Sequence, residues 1–125
     1  MSTLSVSNIT DGTDTVETGY VVNGSAKAWV KVLQNPATLY DTFNVSTYTD
    51  LGVGRGQPNF SSSMEDTGYA SVGSGYGGVN TSLALVEFES TSPTGGIPFY
   101  HATSTSTTMT ISDGQVSVFV MGDLA

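Results

Sequence analysis

The stretch "AKAWVKV", residues 26–32, alternates without a break. Ala26, Ala28, Val30 and Val32 fall on one side of an extended chain, and Lys27, Trp29 and Lys31 fall on the other. A period of two fits a half-buried strand and excludes an amphipathic helix. "QVSVFVM" repeats the pattern, with Val116, Val118 and Val120 facing one way and Phe119 and Met121 the other. Ser and Thr are abundant while Lys, Arg and Glu are scarce, so few surface residues favour a helix and many favour strands and turns.

Other segments extend the pattern. "YDTFNVSTYTDLG" reads as a strand that ends at "DLGVGRGQP", a turn or an open loop, and "NFSSSM" reads as a short strand. "EDTGYASVGSGYGG" is strand-like from Tyr69 to Val72, after which the glycines weaken any ladder. "TSLALVEFEST" sets Ala84, Val86 and Phe88 on one face, with Leu83 and Leu85 on the other giving way to Glu87 and Glu89, as in a strand leaving a doubly covered interior. "FYHATSTSTTMTIS" reads as one long strand, and Asp113-Gly114 after it is a hairpin signal. About seven or eight strands with no helical period predict an all-β fold, a β-sandwich or jelly-roll-like domain. Residues 1–23, thin in apolar positions and broken by "TDGTDT", are set apart as an extended N-terminal arm, leaving 24–125 as the β-sandwich domain.

Charge and composition exclude several classes of function. Three cationic side chains against eleven carboxylates, net −8, leave no basic patch for nucleic acid or for an anionic membrane surface. Without cysteine there is neither disulfide nor thiolate metal site. No apolar run approaches a membrane span and the N-terminus lacks a secretory pattern, so a soluble protein made in the cytoplasm is expected.

Each candidate for chemistry meets a plainer reading. "GSGYGG", Gly73 to Gly78, has the spacing of a phosphate loop but leads into a strand, so it reads as a flexible loop. His101 is the sole histidine, without a nucleophile elbow or a second imidazole, and is expected to be structural or superficial. Glu87 and Glu89 have the side-by-side placement of a glycosidase pair, yet fit the solvated end of a strand. Asp11, Asp14 and Asp113 fail the calcium-loop pattern. The N-x-Ser/Thr triplets at Asn8, Asn23, Asn44, Asn59 and Asn80 follow from abundant Ser and Thr. Tyr69 and Tyr76, in glycine-rich surroundings, are candidate receptor or ligand contacts. No catalytic residue, metal or cofactor is expected, and an enzyme is the least favoured class.

The pairing of the sole tryptophan with two of three cations needs its own account. A face of Lys27, Trp29 and Lys31 does not fit a monomer's apolar core, where two ammonium groups would lack partners. Either the lysine stems shield a surface indole, or the face is a subunit interface in which Trp29 fills a pocket and the lysines meet acidic groups. The second reading is preferred.

"AKAWV", "DTFNVSTYTDLGVG", Phe60, Met64, Asp66 and Tyr69, together with the opening "MSTLSVSNITDGT" and the ending "VSVFVMGDLA", resemble a pattern in virion structural proteins of tailed bacteriophages, of the tail-fibre-like kind. The resemblance implies a non-enzymatic virion protein: a homotrimer joined to other virion proteins by its N-terminal arm, serving as a short tail fibre or adsorption module that touches a host surface glycan. Capsid decoration is the alternative within that class, and a carbohydrate-binding module the alternative outside it. "RGQPNF" departs from the pattern, because Pro58 lacks a backbone donor and predicts interrupted pairing there.

Overall fold

Among the described residues, 2–77, 83–105 and 108–125, the computed structural model has eleven strands and one short helix, and the chain is an all-β sandwich. The two alternating segments found in the sequence are its spine. Strand β3 (Ala26–Leu33) lies between β4 (Thr38–Phe43) and β11 (Gln115–Met121), and β11 also pairs with β7 (Ala70–Tyr76), giving an antiparallel sheet ordered β4-β3-β11-β7.

The second sheet is built around β9 (Phe99–Thr105). One edge of β9 carries β8 (Leu83–Phe88). The other edge is shared by β6 (Arg55–Phe60) and β10 (Thr108–Ile111), and β5 (Val45–Gly52) lies outside β6. Ala28, Val30, Val32, Val116, Val118 and Val120, each no more than 2% exposed, form the inner side of the first sheet. They pack with Val45, Phe60 and Phe99 of the second sheet, and with Met64 and Ile97. Removing apolar surface from water at roughly 25 cal/mol per Å² holds the two layers together.

Several local expectations are corrected. The glycines of β7 do not end its ladder, which runs in register with β11 as far as Tyr76. Gly73 and Gly75 point inward, where a Cβ on Gly73 would sit 2.9 Å from Val86 and one on Gly75 2.5 Å from the His101 ring, so the missing side chains let the sheets approach. "FYHATSTSTTMTIS" is two strands, β9 and β10, paired with each other. Asp113-Gly114 therefore joins strands of different sheets, because β10 pairs with β9 whereas β11 pairs with β3 and β7.

The sequence around Pro58 also behaves differently from expectation. β6 continues through Pro58 opposite Tyr48, and its carbonyl accepts a hydrogen bond from Ile97 N–H at 3.1 Å. Of the turn and the open loop expected at "DLGVGRGQP", the structure has the turn, a tight connection from Gly52 to Arg55 with Gly52 and Gly54 at positive φ. Leu83 and Leu85 are exposed, so β8 is covered on one side only.

Residues 8–24 carry structure that the alternation did not disclose. β1 (Asn8–Thr10) and β2 (Thr15–Glu17) form a hairpin, followed by α1 (Thr18–Gly24). The Asp11 carboxylate accepts the N–H groups of Thr13 and Asp14 at 2.9 and 2.8 Å, which tightens the turn and holds its pKa below the ordinary carboxylate value. No described residue before Ser25 is buried, and only Thr18 is half-buried.

Candidate functional site

The outward side of the first sheet holds a row of three aromatic side chains and one valine. Val72, Phe119, Trp29 and Phe43 are successive register partners across β7, β11, β3 and β4. Val72, Phe119 and Phe43 are 55, 47 and 51% exposed, and Trp29 is half-buried between its two aromatic neighbours. With strands about 4.8 Å apart, three steps make an apolar band roughly 14 Å long. Each member lies on the opposite side of its strand from a core position, so the row follows from the alternation that builds the core.

Lys27 and Lys31 flank Trp29 but do different things. The Lys27 ammonium donates to the carbonyl of Val22, to the carbonyl of Ser25 at 3.1 Å and to the Ser25 hydroxyl at 2.8 Å. It thus satisfies the C-terminal end of α1, where carbonyls otherwise lack partners. Lys31 is exposed, stands opposite Asp41 in the register, and has its ammonium 5.8 Å from the centre of the Tyr40 ring. A β-bulge between Lys31 and Val32 brings Tyr40 beside it.

The outward side of the second sheet also carries an apolar patch. Leu85, Ala102 and Ile111 are register partners across β8, β9 and β10. An open groove of about 610 Å³ lies over them, bordered by Met109, Tyr100 and Glu87. At its rim Arg55 bonds Glu89 at 2.8 Å, the single ion pair among the described residues, and stacks its guanidinium 4.7 Å from the Tyr100 ring centre. The Glu89 contact holds the Arg55 pKa above its ordinary value. Glu87 is exposed and Glu89 is half-buried against Arg55, so the two carboxylates occupy different environments.

The remaining candidates are placed as follows. Tyr69 lies in the irregular connection before β7 but is half-buried: its ring meets Phe60 edge-on, and its hydroxyl lies 2.9 and 2.8 Å from the carbonyls of Pro93 and Gly96. Burial raises its pKa. Tyr76 is 57% exposed at the end of β7. His101 is fully buried; its Nδ1 donates to the Ser112 carbonyl at 2.7 Å, while Nε2 has no partner. Asn44 is fixed by two hydrogen bonds to Ser62 and Asn59 by bonds to Thr47, Thr49 and Gln57. Gly78 and Asn80 lie outside the described residues. Asp113 accepts the Gly54 N–H at 2.7 Å. Among the described residues no three metal-ligating side chains cluster, and no helix is long and apolar enough to cross a membrane.

Set against protein-family models, curated proteins and solved structures, the chain matches none.

Proposed function

We propose that this protein is a non-enzymatic structural subunit of a tailed-bacteriophage particle, a homotrimer serving as a short tail fibre or adsorption module. The observation that carries the reading is the Val72–Phe119–Trp29–Phe43 row, which a single chain leaves facing water. Aromatic rings concentrated in one band and bordered by polar positions are the makeup of an interface core with its rim. The likeness of "AKAWV" and "DTFNVSTYTDLGVG" to virion proteins supplies the particle, the arm's attachment to other virion proteins and the threefold assembly. The burial of His101, whose Nδ1 is committed to Ser112, supports the absence of acid-base chemistry at that residue. Tyr76 remains the exposed aromatic candidate for a host-surface glycan, whereas the Tyr69 hydroxyl is engaged within the fold.

Light scattering on the purified chain at micromolar concentration tests the assembly, with a trimer mass expected and a monomer mass overturning it. Electron microscopy of labelled protein on intact particles tests the location: label on the tail is expected, and label on the head would replace this role by capsid decoration.

A further inference from the structure

The homotrimer reading leaves open what covers the Trp29 face, and the symmetry of a trimer restricts the answer. If this face met its own counterpart on another copy, the contact would be isologous and would close at two subunits. A ring of three needs two different patches on each chain. The outer patch of the second sheet, at Leu85, Ala102 and Ile111, points away from the opposite side of the sandwich. Stacking the Trp29 face of one copy on that patch of the next therefore propagates in a line and builds an open fibre.

The N-terminal arm supplies a second patch without that constraint. Ile9 and Val16 are register partners in the β1–β2 hairpin, 46 and 39% exposed, so they form an apolar pair on one face while Asn8, Glu17, Thr10 and Thr15 occupy the other. Tyr20, Val21 and Val22 of α1 are 72, 44 and 57% exposed. The Thr18 hydroxyl and N–H bond the carbonyls of Val6 and Ser7, tying hairpin to helix. A lone two-stranded hairpin and a helix of under two turns are marginal in water, because neither buries enough to offset its ordering. This arm buries no residue against its own domain, so its apolar side needs a surface elsewhere.

Charge selects which surface. The arm carries Asp11, Asp14 and Glu17 and has no Lys or Arg. The groove on the second sheet is bordered by Glu87 and Glu89, and its one cation, Arg55, is bound to Glu89. The Trp29 face instead carries Lys27 and Lys31 against one carboxylate, Asp41, which stands opposite Lys31 in the register without forming an ion pair with it. We infer that the arm of each copy lies on the Trp29 face of the next, with Ile9 and Val16 over the aromatic row, and that three such exchanges close the ring. The hairpin's polar side, with Asn8, Glu17, Thr10 and Thr15, is then left for the arm's contact with other virion proteins. The inference rests on the homotrimer reading.

The chain has no cysteine, so introduced thiols report unambiguously on proximity. Full-length Ile9→Cys and Phe119→Cys variants, both at exposed positions, are each checked for folding by circular dichroism, then mixed and oxidised. Cross-linked dimer in the mixture, at least about tenfold above that from either variant alone, is expected. The double variant should give linked trimers. Efficient cross-linking by Phe119→Cys alone would show face meeting face, overturning the arm exchange while leaving self-assembly intact. A monomer mass with only an internal disulfide in the double variant would overturn both the exchange and the homotrimer. A trimer by light scattering without cross-linking between the mixed variants would overturn the exchange alone.

Discussion

Phe119 and Trp29 are register partners across β11 and β3, on the side of the sheet that faces away from the core. Their neighbours along each strand, Val118, Val120, Ala28 and Val30, are almost wholly buried. The same two strands thus fill the interior with one set of side chains and present an aromatic surface with the other.

Replacing Trp29 with Ala separates those two roles. In an isolated subunit it removes two cross-strand pairs, with Phe119 and Phe43, each worth about 0.2–1 kcal/mol. At a subunit seam the loss of a central aromatic anchor is about 2 kcal/mol or more, roughly a thirtyfold weaker association. Trp29→Ala is expected to lower the trimer fraction on dilution, read by light scattering, while the urea midpoint of the dissociated chain falls by no more than the two lost pairs account for. Unchanged assembly would remove the row from the interface.

The packing of β7 yields a test inside the core. A methyl group at Gly75 would meet the buried His101 ring at 2.5 Å, and the ring is held in place by the Ser112 carbonyl. Gly75→Ala is expected to destabilise the fold by roughly 1–3 kcal/mol, the usual cost of overpacking. Gly24→Ala, where nothing lies within 4 Å, serves as the control. Urea unfolding distinguishes them, and equal stability of the two variants would show that the sheets separate there at little cost.

Both examples show where the sequence was informative. The period of two placed the inward valines and the outward Trp29 without ambiguity, because a strand leaves no third direction for a side chain. It stopped β7 short at Val72, because the inward glycines beyond look like a loop until the ring and the valine above them are known. It also misplaced Asp113-Gly114, since a turn-forming pair does not specify whether the next strand stays in its sheet. Arg55 among glycines had no local meaning; its partners Glu89 and Tyr100 arrive from two other segments of the second sheet. Helix α1 was illegible because no side chain caps its first turn and its C-terminal carbonyls are met by Lys27, already in the next strand.

Lys27 can be tested through that helix. Lys27→Met keeps most of the aliphatic stem and removes the donor from the Val22 and Ser25 carbonyls. Faster amide hydrogen exchange is expected across Thr18–Gly24, with the β3–β11 ladder unchanged. Exchange across Thr18–Gly24 at the parent chain's rate would show that the ammonium contributes nothing to holding α1.

Tyr48 gives the fold a response to alkali. Burial raises its phenol to about 12 from the ordinary 10.0; Gln34 opposes the shift, and the carboxylates of Asp50 and Asp113 add to it. Because the folded state holds the proton more tightly than the unfolded chain, this contribution is complete below pH 10 and is lost as the pH rises towards 12. Unfolding measured from pH 9 to 12 should therefore show a decline that is shallower in Tyr48→Phe, which keeps the ring beside Phe99. Identical slopes would mean that the phenol titrates alike in both states.

Lys31 tests the electrostatics of assembly. Each chain carries a net charge of −8, so copies repel one another unless their few cations lie near the seam. Lys31 is exposed beside the aromatic row, and Lys31→Glu replaces attraction to an incoming carboxylate with repulsion. Across a seam that holds such a carboxylate, the variant should associate markedly more weakly at low ionic strength. Since charges at an exposed rim are screened beyond about 10 Å at 0.1 M salt, the difference from the parent chain should shrink at about 0.5 M. Sedimentation at the two salt concentrations measures both effects. A deficit that persists at high salt would point to lost packing by the lysine stem, and no deficit at low salt would show that no acidic group of a neighbouring copy approaches Lys31, whose own strand partner is Asp41.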